Sequence, residues 1–147
     1  MRHVERTRRP GLRRRGMAWV EFAIIVPLLV TLALAAADFG RFASSYIAVT
    51  NAARAGAEYG MMNNFTSSTL TTWKAAITRA AQDEITPQVG ATNAANLGVQ
   101  ITTSADNGLK RVQVTASYPF TTIINWPLLG APRTITLGQK VEMRLIR

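Results

Sequence analysis

The sequence predicts an α+β fold in which a long amino-terminal helix is followed by a second helix and a small antiparallel sheet of about three strands. Two observations support this. An apolar run begins near residue 17 and continues as an amphipathic helical pattern to about residue 60, and the apolar period changes to two after residue 98. The predicted segments are a basic cytoplasmic leader (1–16), a transmembrane helix (17–37), its amphipathic continuation (38–62) and an extracytoplasmic domain (63–147).

The positive charge of the chain lies mainly in the leader. The formal net charge is +9, and residues 1–16 hold seven arginines against Glu5. A basic arm that adjoins an apolar span does not indicate nucleic-acid binding. The chain has no cysteine and one histidine, His3, and the adjacent Asp83 and Glu84 do not converge on one face of a helix. We therefore predict no catalytic residue, no metal site and no cofactor.

The membrane segment has the length of one bilayer core. Counted from Met17 to Ala37 it contains Glu21 as its sole ionisable residue, and at about 1.5 Å per residue it covers ~31 Å. The preceding arginines predict a single span with its amino terminus in the cytoplasm and the residues beyond Asp38 in the periplasm or exterior. Pro27 leaves the carbonyl of Ala23 without its helical donor, which predicts a local kink.

Glu21 requires an explanation, because a carboxylate in hydrocarbon costs roughly 2.5–3.5 kcal/mol. One explanation is that its side chain reaches the interface near the basic flank. The other is that the carboxylate pairs with a cation. The sequence leaves both open.

Two kinds of processing are compatible with the amino-terminal region. The basic stretch, the apolar run and the three alanines before Asp38 resemble a secretory signal that is cut after Ala37. Residues 15–22, RGMAWVEF, instead resemble the processing motif of type IV pilin-like precursors. That resemblance implies cleavage by a prepilin peptidase between Gly16 and Met17.

The second kind of processing would supply the cation that Glu21 needs. Cleavage creates an ammonium group at Met17, and Glu21 follows one helical turn later. The resemblance implies that Glu21, followed by the aromatic Phe22, is an assembly residue that meets the amino terminus of a neighbouring subunit.

Beyond the span, apolar or small residues recur at steps of three and four. The predicted stripe contains Phe39, Phe42, Tyr46, Val49, Ala53, Gly56 and Gly60. We expect its distal half to pack on the protein's own domain, while an adjacent subunit is the alternative partner. Asp38 with Arg41 and Arg54 with Glu58 are neighbours on the helix, each pair contributing only about 0.2–0.5 kcal/mol.

The stretches VEFAIIVPLLVTLALAAADFGRF and AVTNAARAGAEYG resemble the TadE-like family, pilin-like proteins of tight-adherence (Tad or Flp) pilus systems. The residues that carry the resemblance are Glu21, Phe22, Pro27, Asp38, Phe39, Gly40, Arg41, Asn51, Arg54, Gly56 and Tyr59. The chain departs from the family pattern at Ala55 and Glu58, which puts a charge-specific role of that turn in doubt.

The resemblance implies a pilin-like fold and a minor or accessory pilus subunit that supports adhesion and biofilm formation. The implied partners are other pilin-like subunits, the Tad assembly platform, prepilin peptidase and membrane lipid. The alternatives are a type II secretion pseudopilin, which the Asp-Phe-Gly-Arg motif disfavours, and a secreted or single-span ligand-binding domain. Whether the subunit lies at the tip, along the shaft or only in the inner membrane stays open.

The remaining chain predicts one helix and three strands. Ser68 or Thr69 is expected to cap a helix that ends before Pro87, with an apolar stripe of Leu70, Trp73, Ile77, Ala80, Ala81 and Ile85. Residues 87–98 are predicted to be a loop. A hairpin is predicted from strands 99–103 and 111–118 around Asp106-Asn107-Gly108, with Pro119 ending the second strand. Ile123, Trp126 and Leu128 are expected to be packed, and residues 133–145 to form a strand with a bulge at Gly138.

Overall fold

A computed structural model describes residues 12–106, 109–125, 130 and 132–145. The elements in chain order are α1 (Leu12–Met62), α2 (Leu70–Val89), α3 (Ala91–Ala94), β1 (Gly98–Asp106), β2 (Leu109–Thr121) and β3 (Thr134–Arg144). This confirms the predicted α+β class with three antiparallel strands. Most of the predicted leader, residues 1–11, lies outside the described residues. The chain forms two units, one up to Ala37 and one from Asp38 onward.

The described part of the first unit is the amino-terminal part of α1, and most of its large apolar side chains are exposed. Ile24 is 71% exposed and Leu28 61%. Among the described residues, one helix is long and apolar enough to cross a membrane, and it is this one. The helix begins at Leu12, five residues earlier than predicted, and it is continuous through Pro27. The hydroxyl of Thr31 donates to the carbonyl of Pro27 at 2.8 Å.

The second unit begins with the distal part of α1, which is buried along a row of small residues. Beyond Val49, the buried positions on this face are Ala52, Ala53, Gly56, Ala57 and Gly60. A Cβ at Gly60 would lie 2.9 Å from Cδ1 of Ile77 on α2. The expected packing of the distal half of the stripe is therefore confirmed from Val49 to Gly60, whereas Phe39 and Tyr46, in its proximal half, are exposed.

Helix α2 packs the predicted stripe into the core, with Trp73, Ile77, Ala81 and Ile85 buried. Its predicted end before Pro87 is wrong, because the helix continues to Val89. Pro87 stands in the last turn, where it deprives only the Asp83 carbonyl of a donor. Gly90 then ends the helix at φ 83°, and its N–H donates to the carbonyl of Thr86 at 2.8 Å.

The two flanks of α2 also differ from prediction. Thr69 is the N-cap residue, but its hydroxyl accepts the N–H of Thr66 at 2.9 Å and caps no N–H of the helix. The short helix α3 occupies part of the segment that was predicted to be a loop.

The sheet has the order β1-β2-β3, and both ladders are antiparallel. Val112, Val114 and Ala116 on the central strand are buried against the helices. The predicted bulge at Gly138 is wrong, because the β2–β3 register is one-to-one from Arg111↔Arg144 to Thr121↔Thr134. Asn107 and Gly108 of the predicted turn lie outside the described residues.

The prediction that Pro119 ends the second strand is also wrong, because β2 continues to Thr121. The N–H of Thr122 donates toward β3, to the carbonyl of Arg133 at 3.0 Å. Since backbone groups alternate in direction along a strand, Pro119 faces the opposite side. There β1 has already ended, its first residue Gly98 being opposite Ser117. A proline at this open edge costs no ladder hydrogen bond.

The connection between β2 and β3 departs from prediction as well. Ile123 is 56% exposed and is not the packed cover that its apolar character predicts. Trp126 and Leu128, the other two residues of that prediction, lie outside the described residues.

Candidate functional site

The amino-terminal candidate site lies on an exposed helical turn of the first unit. Gly16, Met17 and Glu21 all lie within α1, so Glu21 follows Met17 by one turn. The side chains of Met17 and Phe22 are 68% and 58% exposed, and Glu21 is exposed too. The rings of Trp19 and Phe22 meet edge to face with centroids 6.5 Å apart. This turn presents one carboxylate flanked by aromatic and apolar groups.

The second candidate site is at the start of the second unit, where Asp38 is the one buried charged residue among those whose burial the structure describes. Its carboxylate accepts two backbone N–H groups of the β2–β3 connection, from Ile123 at 2.9 Å and from Ile124 at 3.4 Å. A buried carboxylate is tolerated when such donors replace water. Asp38 therefore ties α1 to the chain that follows β2.

Arg41 completes this arrangement one helical turn later. Its Nη1 lies 3.3 Å from Oδ1 of Asp38, which confirms the predicted pair. Its guanidinium carbon is 5.4 Å from the ring centroid of Phe120 on β2. Phe42 meets the same ring edge to face at a centroid distance of 5.6 Å. We call Asp38, Arg41, Phe42 and Phe120, with the backbone of Ile123 and Ile124, the Asp38 clamp.

The other two residues of the Asp-Phe-Gly-Arg stretch do not enter the clamp. Phe39 is 72% exposed. A Cβ at Gly40 would meet nothing within 4 Å, so packing does not require glycine at this position. Of these four consecutive residues, Asp38 and Arg41 contact the rest of the domain, whereas Phe39 and Gly40 face away from packed atoms.

The distal motif residues are dispersed around α1. Asn51 and Arg54 are exposed, and the predicted Arg54–Glu58 ion pair is not among those that the described residues form. Gly56 is buried, and a Cβ there would lie 3.3 Å from Cγ2 of Ile77. The carbonyl of Tyr59 accepts the side-chain amide of Asn63 at 2.9 Å. Of these residues, Gly56 has a packing role.

Sequence reasoning missed the long-range partners of the clamp. The residues that Asp38 contacts are separated from it by 85 and 86 positions, and nothing in their own pattern identifies them. Two further links of α1 were also missed, from Gln88 to the hydroxyl of Ser44 and from Gln139 to the hydroxyl of Tyr46. The signal that the sequence offered for the clamp was the carboxylate of Asp38 directly after an alanine-rich run.

A comparison with protein families identifies the region that contains both sites. Residues 16–58 match the sequence model of the family described as TadE-like protein, which confirms the resemblance. The match begins at Gly16 and includes every predicted motif residue except Tyr59, which lies one position beyond it. No curated protein and no solved structure matched the chain. The match covers 43 of the 147 residues, and it shows that this region is similar to a pilus-related structural family.

Proposed function

We propose that this chain, whose residues 16–58 match the TadE-like family, is a pilin-like minor or accessory subunit of a Tad (Flp) type IV pilus. It is anchored in the bacterial inner membrane by a single span, with its amino terminus in the cytoplasm and the unit from Asp38 onward outside. Prepilin peptidase removes the leader between Gly16 and Met17. The subunit then joins other pilin-like subunits and the assembly platform, and supports adhesion and biofilm formation.

The observation that carries the proposal is the placement of Gly16, Met17 and Glu21 on one continuous helix inside the matched region. After cleavage, the new ammonium group and the Glu21 carboxylate would lie one turn apart. In an assembly, the ammonium group of one subunit can meet the carboxylate of the next, and two charges in an apolar environment are tolerated when paired. Pairing between neighbours would also fix their axial register.

An exposed apolar face beyond the predicted span supports a partner outside the membrane. Phe39 and Ile47 are 72% and 59% exposed, and both follow the predicted end of the span at Ala37. They lie eight positions apart and hence on the same side of the helix. Other subunits are the proposed partners of this face, because the predicted span, which lipid would cover, ends before it.

The position of cleavage separates this proposal from an ordinary signal peptide. Both candidate bonds lie inside α1, so the helix itself does not discriminate between them. The match that begins at Gly16 favours the first bond. Intact mass spectrometry of the protein extracted from native membranes should give the mass of a chain that begins at Met17. A mass for a chain that begins at Asp38 would contradict the proposal.

The role of Glu21 is tested by Glu21→Ala in the full chain. We expect the variant to insert in the membrane and to be processed, yet to lose co-purification with pilin-like subunits and to reduce surface piliation. Glu58→Ala is the matched control, because Glu58 is an exposed carboxylate on the same helix and has no ion pair among the described residues. Normal piliation in the Glu21 variant would refute the pairing role.

A further inference from the structure

The second unit contains a groove that the proposed function does not use. It has a volume of about 650 Å³, within the range of roughly 300–1,000 Å³ that small-molecule sites occupy. Its walls come from α1, α2, α3 and the end of β2. The residues that the argument uses are Gly40, Arg41, Ser44, Asn93, Asn96 and Tyr118.

The described lining residues are rich in neutral groups that both donate and accept hydrogen bonds. Ser44 is already linked to Gln88, and the amide nitrogen of Asn93 donates to the carbonyl of Val89 at 2.9 Å. The side-chain amide of Asn96 and the hydroxyl of Tyr118 make no hydrogen bond within the described part of the chain. These two groups can therefore bind a ligand without breaking an internal contact.

The charge of the groove argues against an ionic ligand. Arg41 is the one ionisable group among the described lining residues besides the Tyr118 phenol, and its guanidinium pairs with Asp38 at 3.3 Å. The described lining contains no aspartate, glutamate, histidine or cysteine, the usual protein ligands of a metal ion. The groove thus offers hydrogen bonds but almost no net charge.

The edge of β2 argues against an added peptide strand. The groove runs along residues 118–121, the part of β2 that has lost its β1 neighbour. An open edge could accept a strand through its backbone groups, but Pro119 has no N–H to donate there. Of residues 118–121, Thr121 alone directs an N–H to this side, so a strand added here would form few ladder hydrogen bonds and recognition by side chains is favoured.

We propose that this groove binds an uncharged saccharide. A sugar ring carries several hydroxyl groups that donate and accept, which matches the amides and hydroxyls of the lining. The half-buried ring of Tyr118 adds apolar surface beside its own hydroxyl. This inference does not rest on the proposed function, since it depends only on the unit from Asp38 onward.

The test uses the full chain in a phosphocholine detergent, whose headgroup contains no sugar. Isothermal titration calorimetry measures binding of cellobiose and N,N′-diacetylchitobiose, with glucuronic acid and inorganic phosphate as charged comparisons. At least one neutral disaccharide should bind with a Kd of about 1 mM or tighter, independent of salt concentration. Binding of neither disaccharide, or preferred and salt-sensitive binding of the charged probes, would overturn the proposal.

Three variants locate the binding. Asn96→Ala and Tyr118→Phe should each weaken it by about three- to tenfold, the usual effect of losing one neutral hydrogen bond. Gly40→Leu should also weaken it, because Gly40 lines the groove and a Cβ there meets no other atom within 4 Å. Gln100→Ala, an exposed amide on β1 outside the groove, should leave the Kd unchanged. Equal affinities in all four variants would rule out this groove as the site.

Discussion

The two parts of α1 use side-chain size in opposite ways. In the first unit the large apolar residues are exposed, as Ile24 and Leu28 show. In the second unit the buried face of the helix is made mostly of alanine and glycine, and Ala52, Ala53 and Ala57 are fully buried. The most apolar part of the helix therefore contributes least to the packed domain.

This difference has a physical reason. Small residues let α2 and the sheet approach the backbone of α1 closely, so the large side chains of the domain core come from those other elements. Large exposed residues are unfavourable in water and require lipid or another helix as their surroundings. The comparison predicts that the stability of the domain depends on the distal part of α1 and hardly on the proximal part.

The largest expected effect comes from Ile77, which is fully buried beneath Gly56 and Gly60. Ile77→Ala should lower the free energy of unfolding of the domain by about 2–5 kcal/mol, because it removes buried methyl groups and leaves a cavity. Urea titration of the full chain in micelles, followed by tryptophan fluorescence, measures this change.

Ile25→Ala is the matched control for that measurement. Ile25 is 50% exposed in the first unit, so the same substitution should change the stability of the domain by less than about 0.5 kcal/mol. Equal losses at the two positions would show that the two parts of α1 do not differ as we describe.

The next largest effect is expected at the Asp38 clamp. Asp38→Ala leaves the N–H groups of Ile123 and Ile124 without their acceptor, which should cost about 1–3 kcal/mol. Amide hydrogen exchange at these two residues should accelerate with it. Asp83→Ala, at an exposed position of α2, should change neither quantity. Unchanged exchange in the Asp38 variant would mean that the clamp does not hold the β2–β3 connection.

The sequence was sufficient to predict what depends on local pattern. The change from a helical period to a period of two located the strands, and the spacing of Trp73, Ile77 and Ile85 located the buried face of α2. The family motif also could be found without coordinates, since it is a run of residues at fixed spacing. Each of these features depends on residues within a single helix or strand.

What could not be predicted depends on partners far away in the chain. Pro119 was predicted to end a strand. The strand continues through it because β1 begins opposite Ser117 and leaves no neighbouring strand beside Pro119, and this pairing register cannot be read from the residues around the proline. The sequence does not reveal that Asp38 contacts the domain while the next residue, Phe39, is exposed. An apolar stripe on a helix does not show which side of the helix another segment covers. The groove is lined by four elements that are far apart in the sequence, so no local sequence pattern predicts it.

A smaller effect is expected from two glycines that lie on the two sides of the same helix. Gly60→Ala should lower the free energy of unfolding by about 1 kcal/mol, because the new methyl group lies 2.9 Å from Cδ1 of Ile77 and the strain exceeds the gain in helix propensity. Gly40→Ala should raise it by about 0.4–1 kcal/mol, since no atom lies within 4 Å of the added Cβ. Changes of the same sign in the two variants would contradict the assignment of the packed face.

The smallest effect on stability is expected at Phe39, and it bears most directly on what covers the exposed part of α1. Phe39→Ala should change the free energy of unfolding by less than about 0.5 kcal/mol, since this ring is 72% exposed. Phe42→Ala should cost more, because that ring packs against Phe120. If the Phe39 variant is as stable as the parent chain but co-purifies less with pilin-like subunits, its ring is covered by a partner; if co-purification is unchanged, the exposed face must be accounted for by lipid.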